Sequence, residues 1–363
     1  MSKLRYYPTK YELMEVLSSI TNKSFLNKFA QERGIFITNS KHNELANEIS
    51  DLFLDDGDLE LIRRQAYQEN AKHTLSGFIV DSDEQEFNLK IVYQKLFDNR
   101  KGKMGQILTA PRKLYPDKEI YQAAIEYNRK KPGRIEFLQD EFSYFEFTMQ
   151  EISKGKWKVE VDCNRSTDTK ELKELLETGL SRNSDFITIN PNLLSNLLSV
   201  DFFDNLAKQG LNSDWEFRTV RNLTLKKGND EESHKEESEV LEVRESTEEM
   251  AGITHAILSG QNLRNDTFVT NCVDNGYRFG AMSYEYHNKI RPEIIQIKAE
   301  FKARPIVFEV SVSNFEVTSG AGATRIPKTL SSSTDREIRS EFWNNAKQVY
   351  NDLIRAKNKA ATL

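Results

Sequence analysis

The chain has 363 residues, 38% hydrophobic and 10% aromatic, which is enough to build real cores and excludes wholesale disorder. The formal net charge of −5 excludes a globally basic nucleic-acid coat, though not a local basic face. Two cysteines, Cys163 and Cys272, and five scattered histidines show no metal-ligand spacing, so no metal and no cofactor is expected.

The length allows two or three domains. The N-terminal MSKLRYYPTKYE lacks the apolar core of a signal peptide, and no stretch approaches the ~18 apolar residues of a membrane span. A cytoplasmic protein without membrane contact is expected. Charge is segregated along the chain. Lys90 to Arg134 holds 12 Lys and Arg against 4 Asp and Glu, whereas Asp230 to Glu249 holds 10 Asp and Glu against 2 Lys and Arg. Such patches bear on partners and solubility more than on fold.

The first ~65 residues read as helical. Pro8 precedes the capping box Thr9-x-x-Glu12. Leu13, Val16, Leu17 and Ile20 then recur on one helical face. Thr21 or Asn22 caps a second helix with Leu26, Phe29 and Ala30 inward, and Gly34 stands where a helix end favours a left-handed residue. Ile35-Phe36-Ile37 reads as extended. Thr38, Asn39 and Ser40 offer another cap. Leu45, Ile49, Leu52 and Phe53 form a third stripe, closed by Asp55-Asp56-Gly57-Asp58. A fourth helix is expected from Leu59 to about Lys72.

Within this region, Phe25 to Phe53 combines an apolar helix, a Gly followed by an apolar residue, a polar loop with a Lys, and a second helix opening on Glu-Leu. The residues are Leu26, Gly34, Ile35, Lys41, Glu44, Leu45 and Ile49. The pattern is similar to the SAP and related helix-extended-loop-helix modules. That resemblance implies a small helical unit of a kind that often binds duplex DNA. It places Lys41 and the nearby Lys28 and Arg33 as phosphate contacts. Met1 to Asp55 departs from a basic module in carrying 7 basic and 7 acidic residues.

Leu75 to Val80 and Phe87 to Phe97 are short apolar runs. The basic stretch follows. It includes Lys101, Lys103, Lys113, Lys130 and Lys131, with Tyr93, Phe97, Tyr115, Tyr121 and Tyr127 interleaved as on nucleic-acid-binding surfaces. A helix is expected from about Asp117 to Arg129, with Ile120, Ala123, Ala124 and Tyr127 on one face and Lys131-Pro132-Gly133 ending it.

Phe142 to Ile152 and Trp157 to Cys163 read as strands flanking the hairpin turn Ser153-Lys154-Gly155-Lys156. Asp168 caps a helix ending at Gly179, Leu193 to Leu206 suits a buried helix, and Trp215 to Leu225 a strand. Lys226 to Glu239 has almost no hydrophobe and reads as a solvated linker. Glu248 to Leu263 suits a helix. Phe268 to Val273 and Tyr277 to Tyr286 surround Asp274-Asn275-Gly276, a hairpin signal. Glu293 to Lys302 and Ile306 to Val317 form two further strands, and Thr334-x-x-Glu337 boxes the start of a terminal helix.

No fixed-period repeat is present. The order of elements defines an α+β chain with antiparallel sheets and helices on one side. The expected division is a helical module over 1–73, an α+β domain over 74–226, an acidic linker over 227–240, and an α+β domain over 241–363 ending in a long helix.

Chemistry is sparse. Glu300-Phe301-Lys302 matches the Glu-x-Lys end of a metal-dependent nuclease pattern, with Glu285 or Asp274 to supply a second acid. The same residues equally form the polar face of an ordinary strand. Gly320 to Thr324 with Lys328 lacks P-loop order and reads as a flexible loop, Arg325 and Lys328 keeping weak value as phosphate contacts. No histidine neighbours a nucleophile motif, and no small-molecule substrate is indicated.

The reading is a non-enzymatic nucleic-acid-associated protein or adaptor subunit of a larger complex. Lys28, Arg33, Lys41, Lys101, Lys103, Lys113, Lys130 and Lys131 are the expected phosphate contacts, on duplex DNA or another nucleic acid. One alternative is a protein-interaction scaffold without nucleic acid, such as a defence-system component with a protein partner. Another is a Mg-dependent nuclease using Glu300 and Lys302.

Overall fold

In a computed structural model, the structure describes residues 7–19, 21, 23–36, 41–70, 73–84, 87–102, 106–130, 137, 140–180, 184–227, 255–260, 263–319 and 324–361. The elements run α1 (Lys10–Ser19), α2 (Lys23–Gln31), α3 (His42–Ser50), α4 (Asp56–Asn70), β1 (Thr74–Ser82), α5 (Leu89–Asp98), β2 (Gln106–Leu108), β3 (Arg112–Tyr115), β4 (Lys118–Lys130), β5 (Asp140–Ser153) and β6 (Lys156–Cys163). There follow α6 (Ser166–Glu177), β7 (Ser184–Ile187), α7 (Asn196–Gln209), β8 (Trp215–Lys227), β9 (His255–Ser259), α8 (Thr267–Asp274), β10 (Tyr277–Asn288), β11 (Glu293–Ala303), β12 (Ile306–Ser319), β13 (Thr324–Pro327) and α9 (Ser332–Ala361). Every strand pairing whose register is described is antiparallel, so the class is α+β. Among the described residues, no helix is long and apolar enough to cross a membrane.

Two compact units interleave along the chain. The first takes residues 1–73, 88–148 and 175–180, and the second the remainder. This differs from the sequential division expected at residues 74, 227 and 241. The physical reason is strand pairing: Leu75 on β1 opposes Val310 on β12, across the stretch read as a linker. Most of that linker lies outside the described residues.

In the first unit, α1 to α4 enclose Leu13, Val16, Leu17, Leu26, Phe29, Leu45 and Ile49 with Phe137. The caps form as the sequence requires. Thr9 N donates to Glu12 Oε2 at 2.9 Å and Glu12 N donates to Thr9 Oγ1 at 3.3 Å. Gly34 takes φ +73°, and Ile35 N reaches back to the Ala30 carbonyl at 3.0 Å. Two details refine the expectation. Thr21 is buried and donates to the Leu17 carbonyl at 2.7 Å, so it closes α1; Asn22, the other expected cap of α2, lies outside the described residues. Phe53, read as part of an inward stripe, is 91% exposed, because α3 stops at Ser50 and the register is lost. Ile20 and Ile37 lie outside the described residues.

The same unit holds α5 and the strands β2, β3 and β4, with β5 as far as Thr148. Residues 118–130 form strand β4, not the expected helix. Ala123, Ile125 and Tyr127 are buried at period two, the signature of a half-buried strand. Tyr93 of α5 meets Phe147 edge-on at 5.1 Å and donates to the Thr109 carbonyl at 3.1 Å.

In the second unit, β8, β10, β11 and β12 present Leu223, Met282, Tyr284, Tyr286, Ile297 and Phe301 to the core. From α7 and α9, Phe202, Phe203, Leu206, Phe342, Trp343 and Ala346 belong to the same core. Tyr284 and Tyr286 keep their hydroxyls satisfied by donating to the Phe203 and Ala207 carbonyls at 3.0 Å each. Gly77 lies where no side chain fits, since a Cβ there would stand 2.4 Å from the Val159 carbonyl oxygen and 3.2 Å from the Trp343 ring. Cys163 and Cys272 are free and buried.

Three expectations in this unit are corrected. Residues 267–274 form α8, so Asn275-Gly276 turns a helix into β10 rather than joining two strands. Gly276 still supplies a positive φ of +81°. Within Glu248 to Leu263, the described residues include strand β9 instead of a helix. The terminal helix starts earlier than Thr334: Ser331 Oγ accepts from Thr334 N at 3.2 Å, which makes Ser331 the capping residue. The hairpin at Gly155 and strands β8, β11 and β12 form as expected. Residues 320–323 of the expected Gly-rich loop lie outside the described residues.

Candidate nucleic-acid interface

Tyr115-Pro116-Asp117-Lys118 is the origin of the site. Proline fixes φ for a turn, and aspartate favours the next position. The chain therefore reverses between β3 and β4, with Tyr115 opposite Lys118 and Arg112 opposite Gln122. Pairing carries cations from both strands into one neighbourhood.

Lys118 Nζ lies 5.6 Å from the Tyr115 ring centroid, and Lys90 Nζ, from the first turn of α5, lies 5.8 Å from that of Tyr121. Arg112 Nη2 donates to Gln122 Oε1 at 2.8 Å. Lys113 Nζ meets Glu119 Oε1 at 2.6 Å, and the Tyr121 hydroxyl donates to the other oxygen of that carboxylate. These bonds hold the Glu119 carboxyl below its usual range, the Lys113 bond most and the Tyr121 bond next. Tyr115 is 52% exposed and offers a ring face to solvent. Alternation along the strand puts Lys113, opposite Tyr121, and Arg112, opposite Gln122, on different faces: Lys90 and Lys113 gather at Tyr121 and Glu119, whereas Arg112 lies at Gln122, which also donates to Glu146, and Lys118 lies at Tyr115. Among the described residues, Lys90, Arg112 and Lys118 make no ion pair.

The residues singled out from sequence fare unevenly. Lys28 is exposed and lies 3.8 Å from Glu32. Arg33 is engaged: its guanidinium lies 3.5 Å over the Phe29 ring, donates to the Phe29 carbonyl at 2.9 Å, and pairs with Asp58. Lys41 is exposed at the start of α3, where its backbone N–H donates to Glu44 Oε2 at 2.9 Å. Lys101 is exposed just past α5. Lys113 belongs to the hairpin. Lys103 and Lys131 lie outside the described residues, as does the side chain of Lys130, which ends β4. Lys90, Arg112, Lys118 and Tyr115 fall within the expected basic stretch, but the charge run alone does not single them out as contacts. The Tyr-Pro-Asp-Lys turn was the signal that would have paired them.

The strand carrying Glu300 and Lys302 has different surroundings. Glu300 and Lys302 do share a face, 2.8 Å apart. Cross-strand register places Ala281 opposite Glu300 and Gln296 opposite Glu285, so the two carboxylates do not converge. Asp274 ends α8. Among the described residues, no group of three or more His, Cys, Asp or Glu is placed to hold a metal ion.

Glu285 is instead the hub of an ion network. It is 2% exposed and accepts from Arg221 Nε at 2.7 Å and from Arg325 Nη1 at 3.1 Å, with His287 Nε2 at 3.0 Å. Burial works against ionisation, but hydrogen bonds from Arg325, His287 and Arg221 outweigh it and hold the carboxyl down at about 2. Arg325, expected as a weak phosphate contact, has its guanidinium committed to Glu285 and Glu316.

No protein-family model matches the chain, and no curated protein matches it either.

Proposed function

We propose that the chain is a non-enzymatic nucleic-acid-associated protein or adaptor, and that its contact surface is the β3–β4 hairpin with the start of α5. The observation that carries this reading is that Lys90 and Lys113 flank Tyr121, while Lys118 at Tyr115 and Arg112 lie on the same hairpin. Ammonium and guanidinium groups take phosphate oxygens and release counterions. A half-exposed tyrosine face accepts an unpaired base by stacking. Such contacts give affinity with little sequence choice. Of the three head cations, Lys41 remains exposed without a carboxylate partner among the described residues and extends the same chemistry to a SAP-like contact.

Fluorescence anisotropy with a labelled oligothymidine and a labelled duplex tests the reading. The triple variant Arg112→Glu, Lys113→Glu, Lys118→Glu is expected to abolish binding to both. Tyr115→Ala is expected to weaken the single strand more than the duplex, by about 1–3 kcal/mol. Unchanged binding in the triple variant would refute the assignment.

A further inference from the structure

We propose that the helical head carries a second docking site of opposite chemistry, which takes a protein segment presenting an apolar side chain between basic residues. The site is a surface depression of about 570 Å³ between the end of α2 and the α3–α4 connection. Pockets that seat a ligand's side chains have volumes of about this order.

Its apolar part is Ile35, Leu52, Phe53 and the buried Leu54. Phe53 is 91% exposed, and Phe36, next to Ile35 in the chain, is 80% exposed. Covering a phenylalanine is worth roughly 1.5–3 kcal/mol, so two bare rings on a head of this size are costly unless something covers them. Phe53 is also held in place. Its ring stacks on Tyr7 with centroids 6.3 Å apart, and the Tyr7 hydroxyl accepts from Leu54 N at 3.2 Å. An anchor fixed before binding loses less freedom on binding.

The lining also fixes the sign of the occupant. Among the lining residues, Glu32, Asp55 and Asp58 stand against one cation, Arg33, which is already paired with Asp58 and seated on Phe29; outside the lining, Lys28 lies 3.8 Å from Glu32. Asp56 adds a further exposed acid in the first turn of α4. The N-terminal amides of α4 are no bait for an anion, because Asp55 Oδ1 accepts from Asp58 N at 2.8 Å. A phosphate backbone would meet net negative charge here, whereas a lysine- or arginine-flanked apolar side chain meets complementary charge and an uncovered apolar floor.

The test is selection of a randomised peptide library on the full chain, followed by titration of the enriched peptides. Enrichment of basic peptides with a central large apolar residue is expected. Phe53→Ser should weaken them about tenfold or more, equivalent to about 1.4 kcal/mol. Glu32→Lys should weaken them several-fold and reduce the salt dependence. Both variants should retain the wild-type melting temperature and oligonucleotide binding, since neither residue is buried nor on the hairpin. No enrichment, acidic consensus peptides, equal binding by Phe53→Ser, or displacement of the peptide by duplex DNA would each overturn the proposal.

Discussion

Glu309 stands directly opposite Glu300 across β11 and β12, and the two carboxyls are pushed in opposite directions. Burial raises Glu309, whereas hydrogen bonds from Lys298 and Lys302 overcome burial at Glu300 and lower it. A carboxyl with a raised folded-state value binds its proton more tightly folded than unfolded. Its contribution therefore holds below the ordinary carboxylate range and is lost as pH rises through the folded value. Glu309→Gln should raise stability at neutral pH and give no gain near pH 3. Denaturant melts of both proteins at the two pH values check this; a larger gain at the acidic end would contradict it.

Glu285 titrates with the opposite sign. Its folded value of about 2 lies below the ordinary one, so its stabilisation is present above about pH 4.5 and is lost as pH falls toward 2. Glu285→Ala leaves Arg221 and Arg325 facing each other without their shared carboxylate. Removing one partner of a buried pair costs about 3–5 kcal/mol, and the partial exposure of both arginines places this case near about 3. Urea denaturation at pH 7 and pH 3 should show the loss shrinking at the lower pH.

Lys347 is a third case. It is 5% exposed on α9, and its Nζ has no hydrogen-bond partner among the described residues. Burial, with a smaller contribution from Lys156, lowers its ammonium to about 8. A lysine lowered in the folded state penalises folding while charged, so stability rises as pH climbs from about 8 toward 10.5. Lys347→Met should stabilise the protein at pH 7 by on the order of 2–3 kcal/mol, with the difference closing by pH 10.5. A destabilised variant at pH 7 would contradict the account.

Gly77→Ala tests the packing of β1. The added methyl would overlap the Val159 carbonyl, which is backbone and cannot rotate away. Calorimetry should show a loss of about 1–3 kcal/mol or more. Gly57→Ala, whose Cβ would meet only the Asp55 carboxylate at 3.1 Å, serves as the contrast.

The helical head was legible in the sequence because its signals are local. Thr9-x-x-Glu12, Gly34 and the stripe through Leu13, Val16 and Leu17 each decide structure within one or two turns. Residues 118–130 were misread for a related reason. Ala123, Ala124 and Tyr127 also satisfy helical spacing, and only pairing with the neighbouring strands β2, β3 and β5 selects the strand. Asn275-Gly276 similarly signals a turn without saying what enters it. The candidate interface was half legible. The charge run was visible, but which cations share a surface depends on the β3–β4 register. The depression at Phe53 was hidden, because an apolar residue just past a helix end reads as core until the helix is seen to stop.

The central claim is that cations from α5, β3 and β4 act together on phosphates. The direct measurement is the slope of log affinity against log salt for an oligonucleotide between about 50 and 200 mM. Four contacts predict a slope of about −3, and each of Arg112→Glu and Lys118→Glu should make it shallower by about 1. An affinity independent of salt, or a slope that neither substitution alters, would contradict the account.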